Sequence, residues 1–391
     1  MSKSHCIVCG CSPLVNVYQS SRSPAHIGVV HFTREAALKA KMGQILLEYC
    51  SHCHLIQNRD PERQHLKFEP GFEVQLVHSP IFRKFLDKTA QRLVTDHHLQ
   101  GKDILDAGCG AGDFLQRLCR FGKNRGLGID PAVSNEGAVP LDAGEMRLLR
   151  GDFSVWPVDE SFDFAVTQSV LELVPDPLRF LRKLRRVVAE RRGRLYIETF
   201  NGAHALQAGE TWSICYELCN YFVLDTLVYA TELAGLRVLS SGYCYGNDQY
   251  IYVEAEVNES VEKNSGSRDV NQAIEHSVLS FQESHQQSLS AWHERIANLR
   301  ETHKKAVVWG SGGKGISFLN AVDASDVFPV VIDINPQRQG KFIPGTGQQI
   351  VAPEWLQTHG TDYIVVSNPL YEHEIRAMVE QLGVQAEFQL V

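Results

Sequence analysis

No run of about 18 apolar residues, the length a bilayer-spanning helix needs, occurs anywhere in the chain; even Tyr221 to Ala230 is broken by Asp225. The first residues, Met1 to Cys6, contain no apolar h-region, so no secretory signal is expected. Basic charge is also short. Thirty-eight Lys and Arg stand against 46 Asp and Glu, a formal net charge of −8 at pH 7. That balance argues against a general nucleic-acid or membrane-surface binder, while leaving room for a local basic patch. A soluble, cytoplasmic chain is expected, whose ten cysteines serve as thiols or metal ligands rather than disulfides.

What is present is material for real cores. With 391 residues, 43% hydrophobic and 21% charged, two or three globular domains are expected. Residues 1–66 carry two C-x-x-C pairs, Cys6/Cys9 and Cys50/Cys53. Two such knuckles supply four thiolates for a closed tetrahedral site, which suits a structural zinc with no position left for catalysis. Four reduced, metal-free cysteines are the plainer alternative. His5, Cys11, His52 and His54 sit beside the pairs as substitute ligands. The insertion between the knuckles, which contains Ser23 to Gly28, suggests no chemistry of its own.

Residues 67–256 are organised around Ile104 to Phe114. The pattern predicts a strand, Asp103 to Asp106, then a glycine-rich turn and a helix over Phe114 to Arg120. Gly108, Gly110 and Gly112 let a ligand approach the backbone, and the helix N-terminus offers unpaired N–H groups. The spacing is G-x-G-x-G, whereas a dinucleotide loop reads G-x-G-x-x-G. Asp106 would repel a pyrophosphate but pair with a cationic amino-acid head. A second strand ends in Asp130, placed for a ribose diol, with Pro131 beside it. This acid–glycine–acid arrangement resembles the S-adenosylmethionine (SAM) site of class I methyltransferases. The resemblance implies that Asp152 accepts from the adenine amino group and that Phe153 packs on the ring; helix capping by Asp152 is the bland alternative. A nucleotide fold using another cofactor is the competing reading of the whole loop.

Gln168, Glu198 and Asn201 follow predicted strands and fall at the sheet edge where ligands of open α/β folds bind. Arg182, Lys183, Arg185 and Arg186 read as a solvated helix face, because no aromatics interleave with them. Five strands alternating with helices, then a closing hairpin, predict a doubly wound α/β sheet.

A polar linker is expected over Glu254 to Ser267. Residues 257–391 then begin with a long helix, whose stripe Val270, Ile274, Val278, Phe281, Leu289, Trp292, Ile296 and Leu299 has one gap at His285. Ala306 to Gly315 reads as a strand, G-x-G-x-x-G and a helix, with Asp333 about twenty residues on. By pattern alone that is an NAD fingerprint, and a second Rossmann-like fold.

The motif order from Cys6 onward resembles the three-domain sugar C-methyltransferase family of deoxysugar biosynthesis. The resemblance rests on the cysteine pairs, Asp106 to Asp113, Val174 to Pro177, Trp212 to Glu217, Gly310 to Gly315 with Lys314, and Asp333 to Gly345. It implies an N-terminal zinc module, a central SAM domain, and a C-terminal Rossmann-like domain that is not an NAD site. That last domain helps to embrace a nucleotide-linked sugar, with Glu198, Asn201 and Lys314 as candidate substrate ligands. The departures are specific. Leu173 and Leu218 stand where the family has histidines, Ser213 where it has Asp, and Phe72 where relatives often have Tyr. Methylation beside a ketone needs a base to remove the α-proton, and leucine is none. Glu217 is then the candidate base and Tyr216 the group that orients the acceptor oxygen; a structural pairing of Glu217 is the alternative. Two other functions stand against this one: an RNA base methyltransferase with a zinc module, and a SAM-binding scaffold without catalysis.

Overall fold

The computed structural model describes residues 4–20, 22–59, 66, 68–72, 76–157, 159–206, 211–258 and 272–391. The central domain is an eight-stranded sheet. In spatial order its strands are Leu236–Cys244, Tyr250–Val257, Arg194–Phe200, Phe164–Gln168, Asp103–Ala107, Arg125–Asp130, Glu145–Arg150 and Gly137–Val139. The five in the middle run parallel, so both faces need covering. Their apolar runs (Ile104, Leu105, Ala165, Val166, Leu195 and Ile197 are all buried) meet that need. Chain order reverses direction between Asp103–Ala107 and Phe164–Gln168, and the crevice at their carboxyl ends is where such sheets bind ligands.

The helix expected over Phe114 to Arg120 is present and longer than the pattern suggested. Asp113–Gly122 follows the glycine turn. Pro80–Asp96 is capped by Ser79 and Pro177–Ala189 by Asp176, each side-chain oxygen accepting a first-turn N–H. Strict alternation of strands and helices does not hold. Among the described residues, none between Arg125–Asp130 and Phe164–Gln168 is helical; Gly137–Val139 instead pairs antiparallel with Glu145–Arg150. The expected solvated face is also interrupted. Lys183 is buried, donates to the main-chain carbonyls of Phe153 and Trp156, and lies 4.7 Å over the Phe153 ring.

The first module does not close on itself at residue 66. Its antiparallel strands Val15–Gln19, Leu46–Tyr49 and Ile56–Asn58 are joined at the edge by Asn220–Tyr221 of the central domain. Cys6, Cys50, Cys53 and Leu55 share a core with Leu171 and Phe180 of the central domain. The polar linker begins later than expected, since Glu254 to Val257 belong to a strand; residues 259–267, and Val270 of the helical stripe, lie outside the described residues.

The long helix Gln272–Glu301 crosses from module to C-terminal sheet. Val278 and Phe281 pack with Val17 and Ile45, whereas Trp292, Ile296 and Leu299 pack with Val308 and Phe318. The gap in its stripe is filled, not empty: His285 is buried, 3.3 Å from the Tyr18 hydroxyl and edge-on to Trp212. Beyond it lies a five-stranded parallel sheet, in the order Gln349–Val351, Val330–Ile332, Ala306–Trp309, Tyr363–Val366, Glu387–Leu390. Among the described residues no helix is long and apolar enough to cross a membrane.

Candidate active site

Asp106 is the penultimate residue of its strand, two residues before a turn built from positive-φ glycines: 86° at Gly108, 54° at Gly110, 87° at Gly112. A Cβ on Gly108 would fall 2.2 Å from Val170 Cγ2, so the turn presses on the neighbouring strand's loop and tolerates no side chain. The Asp130 carboxylate holds the turn from the adjacent strand. Its Oδ2 accepts from the Gly110 N–H at 2.9 Å and its Oδ1 from the Ala132 N–H at 2.7 Å. Each oxygen keeps a further lone pair for a diol.

These groups wall a cavity of about 930 Å³ together with Pro131, Asp152, Phe153, Gln168 and Glu198. Gly112 shapes the turn and caps the helix rather than lining the cavity. Asp152 accepts the Ser154 N–H through Oδ1 at 2.8 Å within a turn, with no described helix after it to cap, and one oxygen remains. Phe153 packs edge-on to Phe180 at 5.2 Å, with Lys183 over its ring. Asp106 is the unusual member. It is buried, no described residue hydrogen-bonds its carboxyl, and burial together with the nearby Asp130 charge pushes it up to about 8. A carboxyl without a partner on a cavity wall fits a cationic ligand head, since a positive charge there would supply the missing counter-ion. The residues present therefore fit SAM.

A second cavity of about 300 Å³ opens beside the first, and Ser169, Leu173, Tyr250 and Arg338 line both. The central domain contributes Glu172, Leu173, Glu217 and Leu218; the C-terminal domain contributes Gly310, Gly312, Lys314 and Asp333. Glu172 accepts the Thr199 hydroxyl at 2.6 Å, and burial pushes it up to about 7. Glu198, on the larger cavity, accepts from Tyr196 at 2.7 Å and Gln168 at 3.2 Å and is likewise pushed up to about 7 by burial. Lys314 lies in the first turn of Gly313–Val322. Asp333 is taken up locally: it accepts from the Ser311 N–H and hydroxyl and, at 2.8 Å, from the Asn335 N–H.

Two sequence-named residues do not join the site. Asn201 caps the helix Gly202–Ala205, accepting the Ala203 N–H at 3.0 Å and donating to the Asp248 carbonyl at 2.9 Å. It lines neither cavity. Tyr216 is buried against Gly43, in a core with Tyr49, Ile56 and Phe281, and also lines neither. Its ring bridges module and helix, so it is a packing residue. Glu217 lines the smaller cavity, and its Oε2 lies 3.2 Å from His26 Nδ1. His26 and the buried Arg338, whose guanidinium reaches the Ile27 carbonyl at 3.3 Å, are residues the pattern did not single out. Arg338 lies within the run Asp333 to Gly345 and lines both cavities, whereas His26 lies in the insertion between the knuckles and lines neither.

The four module cysteines do converge, their Sγ atoms all within 4.8 Å of one another. Tetrahedral thiolates about 2.3 Å from a zinc stand about 3.8 Å apart, so the set fits that ion. The knuckles repeat one geometry: Gly10 N–H donates to the Cys6 carbonyl and His54 N–H to the Cys50 carbonyl. His54 turns its ring away to the Tyr49 hydroxyl, 2.6 Å from Nδ1.

Comparison with known proteins agrees with this layout. Residues 79–241 match the family described as a methyltransferase domain, and residues 252–388 the one described as a C-methyltransferase C-terminal domain. The ubiquinone biosynthesis O-methyltransferase of Acinetobacter baylyi is 26% identical over 145 residues, 35% of this chain and 56% of that protein. That of Nitrobacter winogradskyi is 34% identical over 113 residues, 28% of this chain and 41% of that protein. The chain thus spans about half the length of the curated relatives it matches. Among solved structures, magnesium protoporphyrin IX methyltransferase from Synechocystis PCC 6803 with bound S-adenosylhomocysteine is 18% identical, with a TM-score of 0.37 over 48% of this chain and 89% of that one. The fold is that of class I methyltransferases, with one stretch matching a methyltransferase domain and a second matching a C-methyltransferase C-terminal domain.

Proposed function

We propose that the chain transfers the methyl group of SAM to a carbon atom of a small-molecule acceptor, a nucleotide-linked keto-deoxysugar. The observation that carries this reading is the meeting of the two cavities. The glycine–acid cavity fits SAM, and the smaller one is closed by a helix start bearing Lys314, a place suited to an anion such as a diphosphate. SAM would be held by Asp106 at its amino-acid head, Asp130 at the ribose diol and Asp152 at the adenine; it supplies an electrophilic methyl group. The chain's own residues orient the acceptor between Leu173, Tyr250 and Lys314 and exclude water from the shared wall. Cys6, Cys9, Cys50 and Cys53 would hold one structural zinc, which fixes the module whose insertion reaches both cavities through Ile27 and Gly28.

The test is incubation of the purified chain with SAM and a panel of nucleotide-linked keto-sugars, read by mass shift and then by the position of the new methyl in the NMR spectrum. A methyl on carbon supports the proposal. A methyl on oxygen, as the relatives' name would suggest, or transfer only to acceptors lacking a nucleotide, would contradict it.

A further inference from the structure

A donated methyl and an acceptor carbon must meet, and the two cavities adjoin along one wall. Six described residues line both cavities: Leu76, His78, Ser169, Leu173, Tyr250 and Arg338. Leu173 is one of the two positions where the resembling family has a histidine, so a base is missing from this wall at the family's place. Among the six, only an imidazole takes and releases a proton near neutral pH. Arg338 stays protonated, and its guanidinium donates to the Ser311 carbonyl and, at 3.3 Å, to the Ile27 carbonyl. The buried carboxyls lie to either side: Glu172 lines only the acceptor cavity and Glu198 only the donor cavity.

The backbone decides which part of His78 reaches the wall. Ser79 N–H donates to the Leu76 carbonyl at 2.9 Å, closing a turn into the helix Pro80–Asp96. One turn into that helix, Arg83 donates to the carbonyls of Val77 at 3.0 Å and His78 at 2.9 Å. Arg83 is exposed, so the His78 carbonyl faces outward and the surface that His78 gives both cavities is its side chain. The Ser79 hydroxyl donates to Glu374 Oε2 at 3.0 Å, which ties the turn to the C-terminal domain.

Tyr250 comes to the same wall from the central sheet, at the start of the strand Tyr250–Val257. The Ser169 side chain is the polar group beside its hydroxyl. Ser169 itself has φ 54°, with its N–H donated to the Glu198 carbonyl at 3.0 Å. A left-handed conformation at a residue other than glycine carries a cost that functional sites are known to hold in place. Burial, with the charges of Glu198 and Glu172, pushes the Tyr250 phenol well above its ordinary value, so it stays protonated and can donate.

We propose that His78 is the general base of this enzyme and Tyr250 the donor that holds the acceptor's carbonyl oxygen; the proposal rests on the reading of the acceptor as a keto-sugar. The His78 imidazole takes the proton from the carbon beside the carbonyl, and the C–H electron pair stays on the acceptor as an enolate. The Tyr250 hydroxyl keeps its proton and hydrogen-bonds the enolate oxygen, where the charge collects. The enolate pair then forms the new C–C bond to the methyl as the S–C bond breaks, its electrons remaining on sulfur, and the carbonyl is restored. The imidazolium returns its proton to water. A histidine on the turn before the helix Pro80–Asp96 thus replaces one that the family carries at Leu173.

Proton removal can be read without methyl transfer. A thymidine-diphosphate keto-deoxyhexose is incubated in D₂O with the whole chain saturated by S-adenosylhomocysteine, and deuterium uptake beside the carbonyl is followed by NMR. The parent should exchange. His78→Ala should slow exchange by about two to four decades and recover part of it with added imidazole. His78→Gln keeps a polar side chain of similar reach; it should still bind S-adenosylhomocysteine, by calorimetry, and not exchange. Tyr250→Phe, which removes one oxygen and keeps the ring, should slow exchange by about two to three decades, and imidazole should not restore it. Exchange at the parent rate in His78→Gln or Tyr250→Phe, or no imidazole rescue in a His78→Ala chain that still binds S-adenosylhomocysteine, overturns the pair and leaves the keto-sugar reading standing. A parent chain that neither exchanges nor methylates the probe overturns that reading, and the pair with it.

Discussion

Two glycine turns, one in each α/β sheet, are built alike and differ in charge. Gly108 N–H donates to the Ile129 carbonyl at 2.8 Å, and Gly310 N–H to the Ile332 carbonyl at 2.8 Å. Asp130 and Asp333, each next in sequence after those carbonyls, clasp the turn through a loop N–H and the N–H two residues on. Two residues before the first glycine the strands diverge: the central one has Asp106, without a partner on its cavity wall, and the C-terminal one has the buried Val308. The C-terminal helix start bears Lys314 instead, with Arg338 nearby on the same cavity. One backbone device is thus suited to a cation in the first sheet and to an anion in the second. The spacings differ, G-x-G-x-G in the first and G-x-G-x-x-G in the second, and so do the flanking charges that set each turn's preference.

The perturbation that should affect both turns at once is disruption of the proposed zinc site. The module packs on the central core, and its insertion lines both cavities. Cys53→Ser, or chelation, should lower the melting temperature by on the order of 10 °C and weaken both ligands. Metal analysis of the parent should return one zinc per chain; a zinc-free chain with parent stability would remove the module's role.

Asp106→Asn should separate the turns. Removing the charge opposite a cationic head should weaken SAM about 10- to 100-fold and leave acceptor affinity unchanged, as calorimetry would show. Lys314→Ala should do the reverse, raising the acceptor KM roughly 3- to 10-fold with SAM binding intact. Equal losses of both ligands in either variant would erase the distinction.

A smaller effect follows from protons. Asp106 is pushed up to about 8, and Glu172 and Glu198 to about 7, chiefly by burial. Folded values above unfolded ones give a contribution present below the unfolded values and lost as pH rises through the folded ones. The ligand-free chain should therefore lose a few degrees of melting temperature between about pH 6 and 8, and Asp106→Asn should flatten part of that slope. SAM binding near pH 7 should release protons as Asp106 ionises, which calorimetry in buffers of different ionisation heat would detect.

Much of this was legible in the chain because it is local. Asp106, the three glycines and Asp130 declare themselves by spacing, and the structure brings Asp106, Gly108, Gly110 and Asp130 to one cavity. The C-x-x-C pairs do the same across the 41 positions from Cys9 to Cys50, since two rigid knuckles leave a four-thiolate geometry few alternatives. What spacing could not supply is contact between distant segments. Glu217 meets His26 across 191 positions, and Lys183, a charge on what reads as a solvent face, turns inward to hold the loop that bears Phe153. Tyr216 and Asn201 misled for the same reason. Each lies beside a motif, but one ring is needed to fill the space over Gly43 and one amide is needed to cap a helix.

The most direct measurement is a pair of calorimetric titrations of the intact chain, one with S-adenosylhomocysteine and one with thymidine diphosphate, repeated in Asp106→Asn and Lys314→Ala. Two turns of opposite preference require one site for each ligand, both filled together, with Asp106→Asn weakening only the first and Lys314→Ala only the second. Competition between the two ligands, or tight binding of NAD lost on Lys314→Ala, would contradict it.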